Sequence, residues 1–233
     1  MISVCIATYN GAAYLKQQVA SILSQLSPDD EIVVSDDHST DDTCSILDSF
    51  ADPRIKVFQN MNHGVTWNFE NALRHASGDY IFLSDQDDEW MPDKVKVFMT
   101  YLGKYDCVVS DCYISDGNDN IIGESFFSLN RTRPGRWYNL ILKSGYIGCC
   151  MAFKKEILAK VLPFPTDIPL HDMWIGNISA FKYHVGWIPD KLIKYRRHGM
   201  NASSAAEKSR SSLSQKLGYR WHVIKHLFFR LYS

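Results

Sequence analysis

Four short polar clusters each follow an apolar run: Thr8-Tyr9-Asn10, Asp36-Asp37-His38-Ser39, Asn62-His63-Gly64 with Asn68 just beyond, and Asp85-Gln86-Asp87-Asp88. The last is the sharpest. Two carboxylates at i and i+2 in an extended turn can face one side and ligate a hard divalent cation through oxygen. An acidic turn that solubilises a strand end and caps the next helix has the same short spacing, and D-x-D alone does not separate the two. If the four clusters share one rim, acids, amides and hydroxyls can accept from base N–H and ribose hydroxyls. A carboxylate pair can then hold the metal that neutralises a diphosphate. Asp116-Gly117-Asn118-Asp119-Asn120 looks like part of a calcium loop but lacks the glycine and glutamate at EF-hand spacing, so it reads as a hairpin turn.

The elements that position these clusters follow from hydrophobic periodicity. ISVCIA at 2–7, EIVVS at 31–35, IKVFQ at 55–59 and DYIFLS at 79–84 are apolar runs of strand length, each of the first three followed by a helical pattern. Near-continuous apolar strands alternating with helices predict a mostly parallel sheet covered on both faces and joined by right-handed crossovers. In such sheets ligands sit beyond the carboxyl ends of the strands, where the polar clusters fall. Neither G-x-G-x-x-G after the first strand nor G-x-x-x-x-G-K-[ST] anywhere supports a dinucleotide or P-loop site. The second half is less regular. Its pattern predicts a helix over 92–102, strands near 105–115 and 120–125, a buried strand at 149–155 leading into a helix, a helix over 171–182, and two short strands at 185–188 and 192–195.

A chain of 233 residues with 45% hydrophobic and 22% charged content can build a proper core, which excludes a disordered tail, a collagen-like chain and a disulfide-stapled miniprotein. The six cysteines include no C-x-x-C pair and lie scattered through apolar runs, as reduced and mostly buried thiols do. No run long enough to cross a bilayer and no secretory leader is read, so the expected location is the cytoplasm. The net charge of −1 hides a division: up to residue 90 there are fifteen acids against four bases, whereas from residue 191 onward ten bases face only Glu207. Such asymmetry suggests an acidic half that handles a cation and a basic tail that meets an anionic surface.

Together, SVCIATYNG, EIVVSDDHSTDDT, NHGVTWNFENALRHASGDYIFLSDQDDEW, HDMWIG and YRRHGMN resemble the family-2 glycosyltransferases of the GT-A fold. The similarity leans toward the rhamnosyltransferase-like bacterial enzymes that build surface polysaccharides, and it covers most of residues 1–201. That resemblance implies an α/β fold with a Rossmann-like nucleotide-binding sheet flanked by helices and a mixed region on the acceptor side. It implies a catalytic domain over 1–200 and a basic amphipathic tail over 201–233. By position it assigns Thr8, Asn10, Asp36 or Asp37, Asn68 and Asp85 to the nucleotide-sugar, and Asp87, with Asp85 near it, to Mg2+ or Mn2+. Asp88 is an ancillary acid or a helix cap ahead of Pro92. Asp172 matches the base of an inverting transfer, which takes the proton of an acceptor hydroxyl; the metal makes a general acid unnecessary. His198 matches a late histidine that reaches back to the metal, and Arg196 and Arg197 can pair with diphosphate oxygens.

The implied donor is a dTDP- or UDP-sugar, and the implied acceptor a saccharide, here expected on a polyprenyl diphosphate. In the tail, basic residues interleave with Leu213, Leu217, Trp221, Ile224, Leu227, Phe228 and Leu231 at helical spacing. That pattern suits an interfacial helix on anionic lipid at the inner face of the plasma membrane, or a helix packed on the catalytic domain. A nucleotidyltransferase would want a glycine- and lysine-rich phosphate loop where ATYNGAAYL stands, and a non-catalytic nucleotide-sugar-binding protein would be expected to lack the acid pair or the base. No recognised nucleic-acid module surrounds the basic tail.

Overall fold

A computed structural model describes residues 1–198 and 212–232. The first half runs β1 (Ile2–Thr8), α1 (Ala12–Leu23), β2 (Glu31–Asp36), α2 (Thr43–Ser49), β3 (Ile55–Gln59), α3 (Val65–His75) and β4 (Tyr80–Asp85). These strands lie in the order β3-β2-β1-β4 and are all parallel, as the continuous apolar runs predict. Every residue of β1 and β2 is buried, while β3, at the edge, is largely open to solvent.

The second half adds β5 (Glu89–Trp90), α4 (Lys94–Leu102), β6 (Cys107–Ser115), β7 (Ile121–Gly123), α5 (Phe126–Asn130), β8 (Met151–Lys154), α6 (Leu158–Val161), α7 (His171–Lys182), β9 (Val185–Arg196) and α8 (Leu213–Tyr232). It continues the same sheet as β4-β8-β6-β9-β5, with β8 antiparallel to both β4 and β6, β6 parallel to β9, and β7 hairpinned onto β6. The result is a nine-stranded α/β sheet whose first half is parallel and whose second is mixed. Phe69, Phe82, Phe98, Phe153 and Trp174 fill the core, all fully buried, each contributing on the order of 2–3 kcal/mol through the apolar area it removes from water.

Two sequence expectations need correction. The strands expected at 185–188 and 192–195 are one strand, because the β6–β9 register jumps from Ser110–Ile188 to Asp111–Lys191 and so absorbs Pro189, which has no N–H for the ladder, in a bulge. The short β5 and α5 were not anticipated at all. β5 is too brief for any periodicity, and α5 is set by the Ser125 cap and by Asp111, which accepts from the Phe127 N–H at 2.9 Å and the Ser125 hydroxyl at 2.5 Å. The Asp116–Asn120 hairpin turn is present, and all six cysteines are free thiols, of which only Cys44 is exposed.

Residues 201–211, the start of the basic tail expected over 201–233, lie outside the described residues. Beyond it α8 packs on α7, burying Val223 and Leu227 completely. Arg230 donates to the Leu162 and Pro163 carbonyls, and Asp167 accepts from His222 at 2.8 Å and also pairs with His226. Among the described residues no helix is long and apolar enough to cross a membrane.

Candidate active site

Parallel register aligns the first, second and fourth polar clusters. Thr8 lies opposite Asp36, and Ala7 opposite Asp85, so the ends of β2, β1 and β4 form one rim. The Asp36 carboxylate is buried and builds the loop: Oδ1 accepts from the Thr8 hydroxyl at 3.0 Å and the Ser39 hydroxyl at 2.6 Å, and Oδ2 accepts from the Ser39 N–H at 2.9 Å. Asp37, also buried, accepts from Asn60 at 3.0 Å and from the Gly64 N–H at 2.8 Å. Gly64 has φ +100°, a conformation that favours glycine, and it presents that N–H from the turn ahead of α3. Asn68, on α3, donates to the Thr8 carbonyl at 2.9 Å, and its buried Oδ1 has no partner. Asn10, itself at φ 48°, accepts from the Thr40 N–H at 2.8 Å. Thr8, Asn10, Asp36, Asp37 and Asn68 therefore meet in one hydrogen-bonded cradle.

Gln86, in the middle of the acid loop, ties that loop to the cradle: it accepts from the Tyr9 N–H at 2.9 Å and donates to the Tyr9 carbonyl at 3.1 Å. Its residue type and spacing carry no signal of that role. Its neighbours divide into two groups. Asp87 Oδ2 lies 2.8 Å from His198 Nε2, and the His198 ring stacks on Tyr14 with centroids 4.8 Å apart. Asp85 and Asp88 gather instead with Cys149, ligand atoms within 4.8 Å of one another. Asp88 is not a helix cap: it is fully buried, accepts from the Arg196 N–H at 3.0 Å through Oδ1, and leaves Oδ2 without a hydrogen bond. Burial first, then the charges of Asp87 and Asp172, push the Asp85 carboxyl up to about 8, and burial with the neighbouring acids raises Asp88 as well. Crowded carboxylates, an orphaned buried oxygen and an imidazole fit a divalent cation, which would favour their ionised forms.

Asp172 stands in the first turn of α7, which begins after Leu170 with no side-chain cap. Its Oδ1 accepts from the Met173 N–H at 2.6 Å, a local bond that fixes the carboxylate at the positive end of the helix. Burial nevertheless lifts it to about 6, against the stabilising N–H groups of Met173 and Gly148. The adjacent His171 is buried on Phe69, rings 3.8 Å apart, and burial holds it neutral by lowering it to about 3. Gly148 sits so close that an added Cβ would come 2.6 Å from His171 Nε2.

The two arginines separate. Arg196 is buried and structural: it pairs with Asp119, donates to Gln17 at 2.9 Å and lies over the Tyr14 ring at 4.5 Å. Arg197 donates its backbone N–H to the Ser115 carbonyl at 2.8 Å and lines a groove with Ile114, Glu124 and Leu129. Two supports escaped the sequence reading. Buried Lys94 donates to the Cys149 carbonyl at 2.9 Å with its ammonium 4.0 Å above Trp90, and Gln18 reaches Ser84 and the Asp85 carbonyl.

The sheet, parallel in its first half and mixed in its second, and flanked by helices, is that of the GT-A fold, and the chain is a glycosyltransferase. The family model described as Glycosyl transferase family 2 matches residues 3–162, and the chain belongs to that family. It is similar to a dTDP-rhamnosyl transferase, RfbG, of Shigella flexneri, at 29% identity over 94% of this chain and 82% of that one. It is also similar to the UDP-Glc:alpha-D-GlcNAc-diphosphoundecaprenol beta-1,3-glucosyltransferase WfgD of Escherichia coli, at 29% identity over 88% of this chain and 80% of that one. Among solved structures it resembles the mannosyltransferase PcManGT of Pyrobaculum calidifontis in complex with GDP-Man and Mn2+, with TM-score 0.64 and 23% identity. All of this chain is covered in that comparison, and 64% of the mannosyltransferase, a likeness of fold.

Proposed function

We propose that this glycosyltransferase moves a sugar, with inversion, from a dTDP- or UDP-sugar to a hydroxyl of a lipid-linked saccharide in bacterial surface-polysaccharide synthesis. The observation that carries the reading is the position of Asp172: its carboxylate is near enough to Asp85 to raise it, beside the cradle, and sits in a buried place that lifts it to about 6. Such a group is ionised at neutral pH yet basic enough to accept the proton of an acceptor hydroxyl as that oxygen attacks the anomeric carbon. Thr8, Asn10, Asp36, Asp37 and Asn68 form the nucleoside end of the site, and Asp85 lies between that end and the sugar. Arg197 is assigned to the diphosphate. The names of the relatives support this donor and acceptor class, since one uses a dTDP-sugar and another acts on a diphosphoundecaprenol acceptor.

Asp87 and His198, with Asp85 close enough to Asp87 to feel its charge although it gathers with Asp88 and Cys149, would hold Mg2+ or Mn2+, which when bound supplies charge neutralisation to the departing nucleoside diphosphate. The protein's own part is to fix the cradle through Gln86, orient Asp87 through His198, and raise the basicity of Asp172 while leaving it ionised at neutral pH. The acceptor's lipid carrier puts the work at the inner face of the plasma membrane, with α8 the element that meets it.

Calorimetric titration of UDP and dTDP, with Mn2+ and with excess EDTA, on wild type and Asp87→Ala tests the site. Binding that needs the metal and disappears in the variant supports the assignment, and the nucleotide preferred names the donor series. Equal binding with and without metal, or in both proteins, would remove Asp87 from the metal site.

A further inference from the structure

Residues 131–143, RTRPGRWYNLILK, contain Arg131, Arg133, Arg136 and Lys143 and no acid. They form a closed lip. Asn130 donates to the Ser144 carbonyl at 3.0 Å, closing its base. Fully buried Asn139 donates to the Arg133 and Gly135 carbonyls, both at 2.9 Å, and accepts from the Gly145 N–H at 2.8 Å. This internal bonding makes the lip preformed, yet its tip displays large apolar side chains to water. Trp137, Ile141 and Leu142 are exposed, and so are Leu217, Trp221 and Phe229 of α8; all six lie between 51% and 73% exposed. The two elements touch, for Arg220 of α8 donates to the Leu142 carbonyl. The helix is thus apolar twice over, inward through Val223 and Leu227 and outward through Leu217 and Trp221.

We propose that the lip and the outward face of α8 form one docking surface for an anionic lipid bilayer. Tryptophan and branched aliphatics beside arginines suit the headgroup boundary, where an apolar body can sit in the acyl region and a cation among phosphates. Charge complementarity selects the partner. Lys225, His222 and His226 of α8 face Asp167, so the cationic share comes chiefly from the four exposed bases of the lip. A second copy seated on this face by two-fold symmetry would set arginines against arginines. The lip leads through Ser144–Ile147 to Gly148 beside Asp172, so docking here would bring a lipid-borne acceptor to the site from the membrane side. The surface extends the membrane contact proposed for α8, and it rests on that reading only for the reason a bilayer is needed.

Co-sedimentation of the full chain with phosphatidylcholine vesicles, with and without about a third of phosphatidylglycerol, tests it. Wild type is expected to partition onto the anionic vesicles and to leave them as salt rises. Replacing Trp137, Ile141 and Leu142 together by serine should lower that partition about tenfold or more. Trp137 also packs edge-on against Phe181, with ring centroids 4.9 Å apart, so the triple variant should melt slightly lower. Ile141→Ser with Leu142→Ser should melt as wild type and still partition less, and nucleotide binding should stay as in wild type in both. Wild type remaining in the supernatant, a serine variant that partitions like wild type, or a dimer in solution that the serine variant abolishes would each overturn the surface. Nucleotide binding, read on the same preparations, separates failure of this surface from failure of the donor site.

Discussion

The first ninety residues and the remainder build the site by different means. In the first half, parallel register brings loops from neighbouring strands to one rim, so each polar cluster falls in place by following its own strand. In the second half, residues far apart in sequence close the site from outside: the Arg196 N–H on Asp88, His198 on Asp87, Lys94 on the Cys149 carbonyl and Asp172 from the head of α7. The early half supplies negative charge, and the late half supplies what orients and neutralises it. Substitutions should therefore divide, those in the first half acting on donor binding and those in the second on turnover, metal affinity or stability.

Asp172→Asn should break the comparison most visibly. Turnover is expected to fall by about 10² to 10⁴ while donor KM stays within about twofold, as loss of a general base predicts. Initial rates at saturating donor measure this, and a variant with near wild-type turnover would move the base elsewhere. Next, His198→Ala should weaken Mn2+ affinity by about 10 to 100-fold, the usual cost of losing a group that orients a metal ligand. Calorimetry of metal alone reads that change without turnover.

The pH dependence sharpens the same division. Asp172, lifted to about 6, must be unprotonated to act, so kcat should rise as pH passes upward through that value and flatten above it. Asp85 has its folded value raised to about 8, so without metal it favours the folded state in acid and loses that contribution as pH climbs from its ordinary value toward 8. A melting curve recorded without metal should accordingly fall over that range and recover when Mn2+ is added, most at the alkaline end.

A smaller effect is expected away from the chemistry. Leu227→Ala removes a fully buried contact between α8 and the body and should cost about 2–5 kcal/mol in urea unfolding, with nucleotide binding unchanged under native conditions. Least of all, Lys96→Ala breaks an exposed pair with Asp93 at 3.8 Å and should shift stability by less than about 0.5 kcal/mol.

Much of the first half was legible because its physics is local. Continuous apolar runs give strands, polar residues after them give loops, and a parallel sheet turns loop order into a rim. The helix at 171–182 and the turn at 116–120 were readable for the same reason. Other features depend on partners that spacing does not encode. Nothing in GCCMAFKK says that Cys149 will lie against Asp85 and Asp88, and nothing in WMPDK says that Lys94 will be buried over Trp90. Spacing leaves Asp88 open between an ancillary acid and a cap ahead of Pro92, because its partner is an N–H more than a hundred residues later. The basic lip at 131–143 carried a signal in its composition, four bases, no acid and a tryptophan, but no periodicity to draw the eye.

The position of β9 has a consequence for how the molecule comes into being. It lies between β6 and the short β5, although β5 precedes β6 in the chain by seventeen residues or so. Strands leaving the ribosome in order cannot complete this part of the sheet in order. Until residue 196 has emerged, β6 has an open edge, β5 has nothing to pair with, and Asp88 waits for its N–H. Long-separation pairings of this kind form late and slowly, because loop entropy is lost before contacts reward it. A nascent chain can thus shape its acidic rim early and still be unable to orient Asp87 or shield Asp88 until β9 is inserted, so an ordered acid cluster is a mark of a finished fold.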